Sequence, residues 1–203
     1  MDTFKLPTEV ICPNDLNGYL RLLPLNDPRR TDDTDYIKLY QEKYDIISMD
    51  KNVKSIFEIG VRAGYLAFTF KSAFPDARYV GMDADNCSHG GQGGPWTWFA
   101  RVTMDKYFKN WTIINEDTQK LNTIPYGPYD FIHVDGDHTI AGCIHDMDIC
   151  WPEVAEGGRM TIDDYTHLSD VKIAADTWLK NNSDKYSKYE ILNTIRGDVV
   201  LWK

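Results

Sequence analysis

The sequence has no long hydrophobic run, and none of its apolar stretches reaches the roughly 18 residues that a membrane-spanning helix needs. Its first residues, MDTFKLPTEV, lack the basic flank and apolar stretch of a signal peptide. These two absences exclude the usual signals for a membrane or a secreted protein. We therefore expect a cytoplasmic protein with no membrane partner.

Positive charge is also scarce. The chain carries 22 Lys and Arg against 31 Asp and Glu, for a formal net charge of −9. Its longest basic cluster is Arg29-Arg30, which acidic residues follow closely. Nucleic-acid binders normally show a basic stripe, so the charge excludes a nucleic-acid partner and favours a small-molecule ligand.

Cysteine is rare and unpatterned. Cys12, Cys87, Cys143 and Cys150 form no CxxC pair. Cys143 and Cys150 are two helical turns apart, too far for a disulfide. The pattern favours reduced thiols in a cytosolic protein.

What the sequence does contain is an alternation of strand-like and helix-like segments in 203 residues, enough for one domain. Such alternation is typical of an α/β fold with a mostly parallel sheet and helices on both faces. We expect a proline-rich arm or lid over 1–33 and the domain over 34–203. The predicted strands cover 55–60, 78–83, 111–117, 129–135 and 158–164. The predicted helices cover 34–49, 65–74, 96–108, 139–151 and 168–181. The segments YEILNTI and DVVLWK are predicted to form a terminal antiparallel hairpin, which brings the number of strands to seven.

Ligands of open parallel sheets bind beyond the carboxyl ends of the strands, so we searched there for functional residues. The first strand ends in EIGVRAG, with Glu58, Gly60 and Gly64, and the spacing is not that of the GxGxxG dinucleotide fingerprint. The second ends at Asp83 and the third is followed by Asp117. Each acid can equally be read as a loop or helix cap, and the glycines as a tight turn.

Taken together, these strand ends resemble the class I S-adenosylmethionine-dependent methyltransferases, a likeness that covers about residues 34–203. It implies a Rossmann-like doubly wound fold and S-adenosylmethionine as cofactor. By this resemblance Glu58 helps to hold the amino acid end of the cofactor, Asp83 holds the ribose and Asp117 reads the adenine, beside the two turn glycines. The chain departs from the pattern at Arg62, near which many members carry a third glycine.

A second set of acids follows the next two strands. FIHVDGDHT places Asp135 at one strand end, and GRMTIDDY places Asp163 and Asp164 at another. If these strands are neighbours, the three carboxylates repel, at least one pKa rises, and a divalent cation such as Mg²⁺ relieves the repulsion while leaving two positions for a diol. The alternative is structural, with Asp137 or Thr139 as a helix cap.

The whole stretch from VDGDHT to TIDDY resembles the metal-dependent macrolide-sugar (macrocin-type) and catechol O-methyltransferases. The resemblance implies Asp135, Asp163 and Asp164 as metal ligands. It also places His138 where the catechol enzymes carry a catalytic lysine, so that His138 or Asp135 takes the proton from the acceptor; a solvent-facing histidine is the alternative. We expect His133, within the strand, to be a core residue with a satisfied ring.

The resulting hypothesis is a divalent-metal-assisted O-methyltransferase acting on a small hydroxylated molecule, a sugar or a catechol-like diol. The alternatives are a non-catalytic module that binds S-adenosylmethionine or a nucleotide, and a methyltransferase without metal. Trp96, Trp98 and Phe99 could line the substrate pocket or belong to the core. The first helix and the arm could cover the site or form a homo-oligomer.

Overall fold

The computed structural model describes residues 4–30, 34–86 and 95–203. Cys87 and residues 88–94 of the glycine-rich loop lie outside them, as do 1–3 and 31–33 of the arm. The strands are β1 (Ser55–Ile59), β2 (Arg78–Asp83), β3 (Trp111–Asn115), β4 (Tyr129–Val134), β5 (Val154–Ile162), β6 (Lys188–Leu192) and β7 (Asp198–Trp202).

These seven strands form one sheet in the order β3-β2-β1-β4-β5-β7-β6. The first five run parallel, and β7 is antiparallel to both β5 and β6. The predicted Rossmann-like sheet with its terminal hairpin is confirmed, and β4 and β5 are indeed neighbours. The order reverses at β1, so the crevice beside β1 and β4 is where a ligand is expected.

Helices alternate with the strands and cover both faces of the sheet. They are α1 (Leu16–Arg21), α2 (Tyr36–Ile47), α3 (Tyr65–Ala73), α4 (Thr97–Tyr107), α5 (Ile140–Cys150) and α6 (Ser169–Asn181). Buried side chains of α5 and α6 form one core cluster with the sheet, and those of α2, α3 and α4 form another. Among the described residues, no helix is both long enough and apolar enough to cross a bilayer.

Strand β5 begins earlier than the sequence predicts, at Val154 rather than at residue 158. Tyr129 pairs with Val154 while Phe131 pairs with Arg159, so the register shifts between the two pairs. Extra residues on one strand form a bulge, and Gly157 takes a positive φ of 75° there. The polar and glycine-rich segment hides the start of the strand from a pattern of alternating hydrophobicity.

Helix α2 forms where predicted, but the face it buries differs. Asp35 caps it by accepting a hydrogen bond from the Lys38 amide at 3.1 Å. The helical spacing of Ile37, Tyr40, Tyr44 and Ile47 predicts that they are buried, but Ile37 is 40% exposed, while Lys43 is buried. The apolar pattern misses Lys43 because it treats a lysine as a surface residue.

Lys43 is held by two buried carboxylates. Its Nζ lies 2.6 Å from Asp163 Oδ1, at the end of β5, and 2.5 Å from Asp198 Oδ1, at the start of β7. Burial disfavours the charge on Lys43, but the two carboxylates outweigh it and hold the pKa of Lys43 above its usual value. This ion triad fixes α2 against the carboxyl edge of the sheet.

The amino-terminal segment is not irregular throughout, since it contains α1. Leu6, Val10 and Cys12 are buried in a third core cluster with side chains of α2 and α3. Asp15, which is 2% exposed, accepts hydrogen bonds from Arg62 Nη2 at 2.9 Å and from the Tyr65 hydroxyl at 3.0 Å. The described part of the arm therefore packs on the domain.

The ion triad leads to a stability prediction. Lys43→Met keeps the side-chain volume but leaves Asp163 and Asp198 buried without their cation, a change that costs about 3–5 kcal/mol. We expect a loss of this size in the free energy of unfolding, measured by urea denaturation at pH 7. Lys38→Met, at an exposed position of the same helix, should change it by less than about 0.5 kcal/mol. A Lys43→Met protein as stable as the control variant would contradict the role of the triad.

Candidate active site

The carboxyl ends of β1, β4 and β5 meet at one point of the sheet edge. The Asp135 amide donates to the Ile59 carbonyl at 3.1 Å, and the Asp163 amide donates to the Val134 carbonyl at 3.1 Å. Gly60 fits between them because it has a φ of +89° and because a Cβ there would lie 1.9 Å from the Asp135 carbonyl oxygen. The backbone therefore brings the predicted cofactor turn and the predicted carboxylate cluster together.

A cavity of about 350 Å³ opens at this point. Most of the candidate residues line it, namely Glu58, Gly60, Asp83, Asp117, Asp135, His138, Asp163 and Asp164. Gly64 does not line it; with a φ of +82°, it lies where a Cβ would approach that of Ala100 on α4 to 2.7 Å. The glycine at 64 thus allows a helix to pack closely against the turn.

Asp83 anchors the cofactor turn through backbone hydrogen bonds. Its carboxylate accepts from the Arg62 amide at 2.7 Å and from the Asp85 amide at 2.6 Å. Burial raises the pKa of Asp83 in spite of these bonds. Arg62 has a φ of +49°, a conformation that favours glycine and explains the glycines of related turns.

Glu58 is completely buried, yet it borders the cavity. Its Oε2 accepts a hydrogen bond from the Tyr79 hydroxyl at 2.5 Å, while Oε1 has no partner among the described residues. Burial raises the pKa of Glu58 to about 8. Glu58 is therefore largely protonated at neutral pH.

Two of the structural alternatives are present in the loops. Asp117 caps a short 3-10 helix by accepting from the Gln119 amide at 3.1 Å. Thr139 caps α5 by accepting from the Gly142 amide at 3.1 Å. Both capping interpretations are confirmed. Asp117 also borders the cavity, so its cofactor role stays a prediction.

His138 pairs with the acid three residues before it. Its Nε2 lies 3.1 Å from Asp135 Oδ1 and 4.0 Å from Asp164 Oδ2. The hydrogen bond to Asp135 raises the pKa of His138 to about 9, in spite of partial burial. His138 is thus protonated at pH 7 in this arrangement, whereas the sequence argument assumed that it titrates near neutrality.

Asp164 shows the repulsion that the sequence predicts. Burial raises the pKa of its carboxyl to about 7, and the charges of Asp163 and Asp135 add to the effect. Arg196 Nη1 opposes it with contacts of 2.9 and 3.2 Å to the two Asp164 oxygens. The expected upward shift of at least one pKa is confirmed.

Asp163 behaves in the opposite way. Burial favours its neutral form, but the Lys43 ammonium holds its pKa well below the usual range. Lys43 and Arg196 thus supply positive charge from the chain itself. The expectation that only an added cation makes the cluster tolerable is wrong.

The carboxylates still form two overlapping groups of metal-type ligands. Among the described residues, one atom each of His133, Asp135 and Asp163 lie within 4.8 Å of one another, and so do atoms of Asp135, His138 and Asp164. The predicted trio of Asp135, Asp163 and Asp164 is not such a group. Donor atoms at this spacing fit a divalent cation beside Asp135, with a nitrogen ligand in either group.

The wall of the cavity next to Asp164 contains residues that the sequence analysis missed. Arg196 Nη2 donates to the Tyr36 hydroxyl at 2.8 Å, and the Arg21 guanidinium lies 5.2 Å from the centre of the Tyr36 ring. His167 lies on the same wall. Because these residues come from α1, α2 and the loops beside β5 and β7, no local motif joins them.

The three aromatic residues considered for the substrate pocket do not line the cavity that the structure describes. Phe99 is buried in the third core cluster, and Trp98 is 47% exposed. The core interpretation is therefore confirmed for Phe99.

Comparison with known proteins agrees with this geometry. A family model described as a methyltransferase domain matches residues 57–165, which is more than half of the chain. No curated protein matches the sequence significantly.

Solved structures resemble the fold at low identity. PaMTH1, a methyltransferase from Podospora anserina in complex with SAH, is 15% identical over 100% of this chain and 91% of its own, with a TM-score of 0.67. A candidate caffeoyl-CoA O-methyltransferase from Staphylococcus aureus is 18% identical over 81% and 82%, with a TM-score of 0.63. The O-methyltransferase NovP is 17% identical over 88% and 86%, with a TM-score of 0.62. At these identities the likeness concerns the fold alone.

Burial of Glu58 predicts how stability depends on pH. Its pKa rises from the ordinary 4.5 to about 8 on folding, so between these values the folded protein retains a proton that the unfolded chain releases. Stability must then fall as pH rises, by up to about 1.4 kcal/mol per pH unit. Glu58→Gln keeps an acceptor for the Tyr79 hydroxyl and removes the titrating group. The free energy of unfolding of the variant minus that of the wild type should therefore increase from pH 5 to pH 8.

The measurement is urea denaturation at several pH values. Glu156→Gln, at an exposed position of β5, serves as the control and should run parallel to the wild type. A constant difference between Glu58→Gln and the wild type would show that Glu58 is ionised in the folded protein.

Proposed function

The chain belongs to the methyltransferase-domain family, and from this premise we propose that it transfers a methyl group from S-adenosylmethionine to a hydroxyl of a small molecule, a sugar or a catechol-like diol, with the help of a divalent cation. The family match supports the enzyme class and the resemblance to class I methyltransferases. One observation carries the finer proposal: a single cavity joins the cofactor-type turn to the carboxylate cluster.

In this proposal the cofactor lies along the carboxyl ends of β1 to β3. Asp83 holds the ribose, the turn at Gly60 allows close approach while Gly64 lets α4 pack on that turn, and Asp117 reads the adenine. Glu58 helps to hold the amino acid end. Glu58 and Gly60 lie beside the point where the strand order reverses, which supports the assignment.

The cation belongs at Asp135, with Asp163 and Asp164 as the other predicted ligands, and Mg²⁺ is the first ion to test. When bound, it would polarise the acceptor hydroxyl and lower its pKa. The 4.8 Å spacing of ligand atoms around Asp135 supports a cation there.

The chain's own residues orient the acceptor and take its proton. Asp135 accepts the proton of the hydroxyl, or His138 does so once it has released the proton that it holds at pH 7, and the ion pair of Arg196 with Asp164 borders the same wall of the cavity. Fixed orientation beside the methyl group and exclusion of water would supply much of the rate. Cytoplasmic location, lack of nucleic-acid and membrane partners, and homo-oligomerisation stay predictions.

A methyltransferase without metal is the second candidate. It is favoured by the positive charge that Lys43 and Arg196 already place on Asp163 and Asp164. Acceptor diols should be screened with S-adenosylmethionine, with and without a chelator. Loss of turnover in the chelator supports the cation, and unchanged turnover supports the second candidate.

A variant of Asp135 separates an enzyme from a non-catalytic module. Asp135→Asn removes the charge that both groups of ligands share, and we expect methyl transfer to fall by about 100-fold or more. Binding of S-adenosylhomocysteine, measured by calorimetry, should change by less than about threefold, because Asp135 is not assigned to the cofactor. Asp184→Asn, at an exposed position beyond α6, should affect neither quantity. Full turnover by Asp135→Asn would remove Asp135 from the mechanism.

A further inference from the structure

His133 lies on the same face of the sheet as the carboxylate cluster. Side chains of a strand alternate between its faces, so His133 and Asp135, two residues apart, point the same way. On β5, Thr161 pairs with His133, and Asp163 follows two residues later. Since His133 is only 1% exposed, it faces Asp135 and Asp163 inside the protein.

The ring of His133 is half satisfied, contrary to the sequence expectation. Nδ1 lies 2.8 Å from Thr161 Oγ1, which in turn donates to the Ile132 carbonyl at 3.3 Å. The hydroxyl has one hydrogen, so when it serves the Ile132 carbonyl the ring proton lies on Nδ1, and this is the tautomer that leaves Nε2 available to a ligand. Nε2 is then a bare lone pair, and it has no hydrogen-bond partner in the described part of the chain.

The surroundings of Nε2 are those of a cation ligand. Asp163 Oδ2 lies 3.7 Å from it, and the Phe70 ring packs at 5.2 Å from the imidazole, where it offers no donor. Lys43 contacts the other oxygen, Oδ1, so Oδ2 is turned towards the histidine. A buried lone pair next to carboxylate oxygens is costly unless something positive lies between them.

We propose that His133 Nε2 is a nitrogen ligand of the cation, together with one oxygen each from Asp135 and Asp163, and that the site therefore prefers Mn²⁺, Co²⁺ or Zn²⁺ to Mg²⁺. The inference rests on the proposed cation dependence and specifies its ligands. Imidazole suits transition metals, whereas Mg²⁺ takes oxygen ligands. Asp135, His138 and Asp164 form the competing group, but His138 Nε2 is already bonded to Asp135, and Asp164 to Arg196.

The test uses metal-free full-length protein and measures binding of Mn²⁺ and of Mg²⁺ by calorimetry. We expect Mn²⁺ to bind the wild type at least about tenfold more tightly than Mg²⁺, and His133→Asn to lose about tenfold or more of the Mn²⁺ affinity. His145→Asn, at a histidine of α5 that bonds the Thr118 carbonyl and does not line the cavity, is the matched control and should change the Mn²⁺ affinity by less than about threefold.

A second measurement identifies the ligand atom directly. Electron spin-echo envelope modulation of the wild type with bound Mn²⁺ should show a directly coordinated ¹⁴N. His133→Asn should lose this ¹⁴N signal, and His138→Asn should keep it. Circular dichroism checks that each variant folds, and if His133→Asn does not, the wild-type modulation decides alone.

The outcomes separate this inference from the proposed function. Equal affinity for Mn²⁺ and Mg²⁺ without ¹⁴N coupling overturns the inference and leaves a cation-assisted methyltransferase in place. A loss of affinity or coupling in His138→Asn alone assigns the ion to the competing group and also overturns it. If neither Mn²⁺ nor Mg²⁺ binds, both the inference and the proposed cation dependence are overturned. The enzyme class is tested separately, by measuring methyl transfer in the presence of a chelator.

Discussion

The contact between Lys43 and the two buried carboxylates of Asp163 and Asp198 is the interaction on which the site depends. It fixes α2 against the ends of β5 and β7, and because it occupies Oδ1 of Asp163 it leaves Oδ2 turned towards His133. It also keeps Asp163 ionised in a place where burial alone would neutralise it. A structural ion pair and a candidate ligand site thus share one carboxylate.

The carboxylate cluster follows from topology more than from any single motif. Acids after β4 and β5 meet because parallel strands end at the same edge and because their backbones are hydrogen-bonded there. What differs between these acids is the neighbour that each one has. Asp163 has a lysine, Asp164 an arginine and Asp135 a histidine. The pKa of Asp163 is lowered and that of Asp164 is raised, although the two groups have the same chemistry.

The sequence was sufficient to predict the sheet, its terminal hairpin and the convergence of the acids, because strand periodicity and strand order carry that information. It was insufficient for Lys43, since the helical pattern treats a lysine as a surface residue. It was also insufficient for Arg196 and Tyr36, which lie 160 positions apart in the sequence and meet only in the folded protein. His133 shows the same limit: its position in a strand predicts burial, but whether its second nitrogen finds a partner depends on the neighbouring strands.

The hydrogen bond from Arg62 to Asp15 connects the amino-terminal segment to the turn that follows β1. Arg62 contributes its guanidinium to the segment and its backbone amide to Asp83, so one residue belongs to both. Any effect of the segment's order on the occupancy of the turn would be matched by an equal effect of occupancy on that order. Asp15, 47 positions before Arg62, is placed to influence the turn in this way.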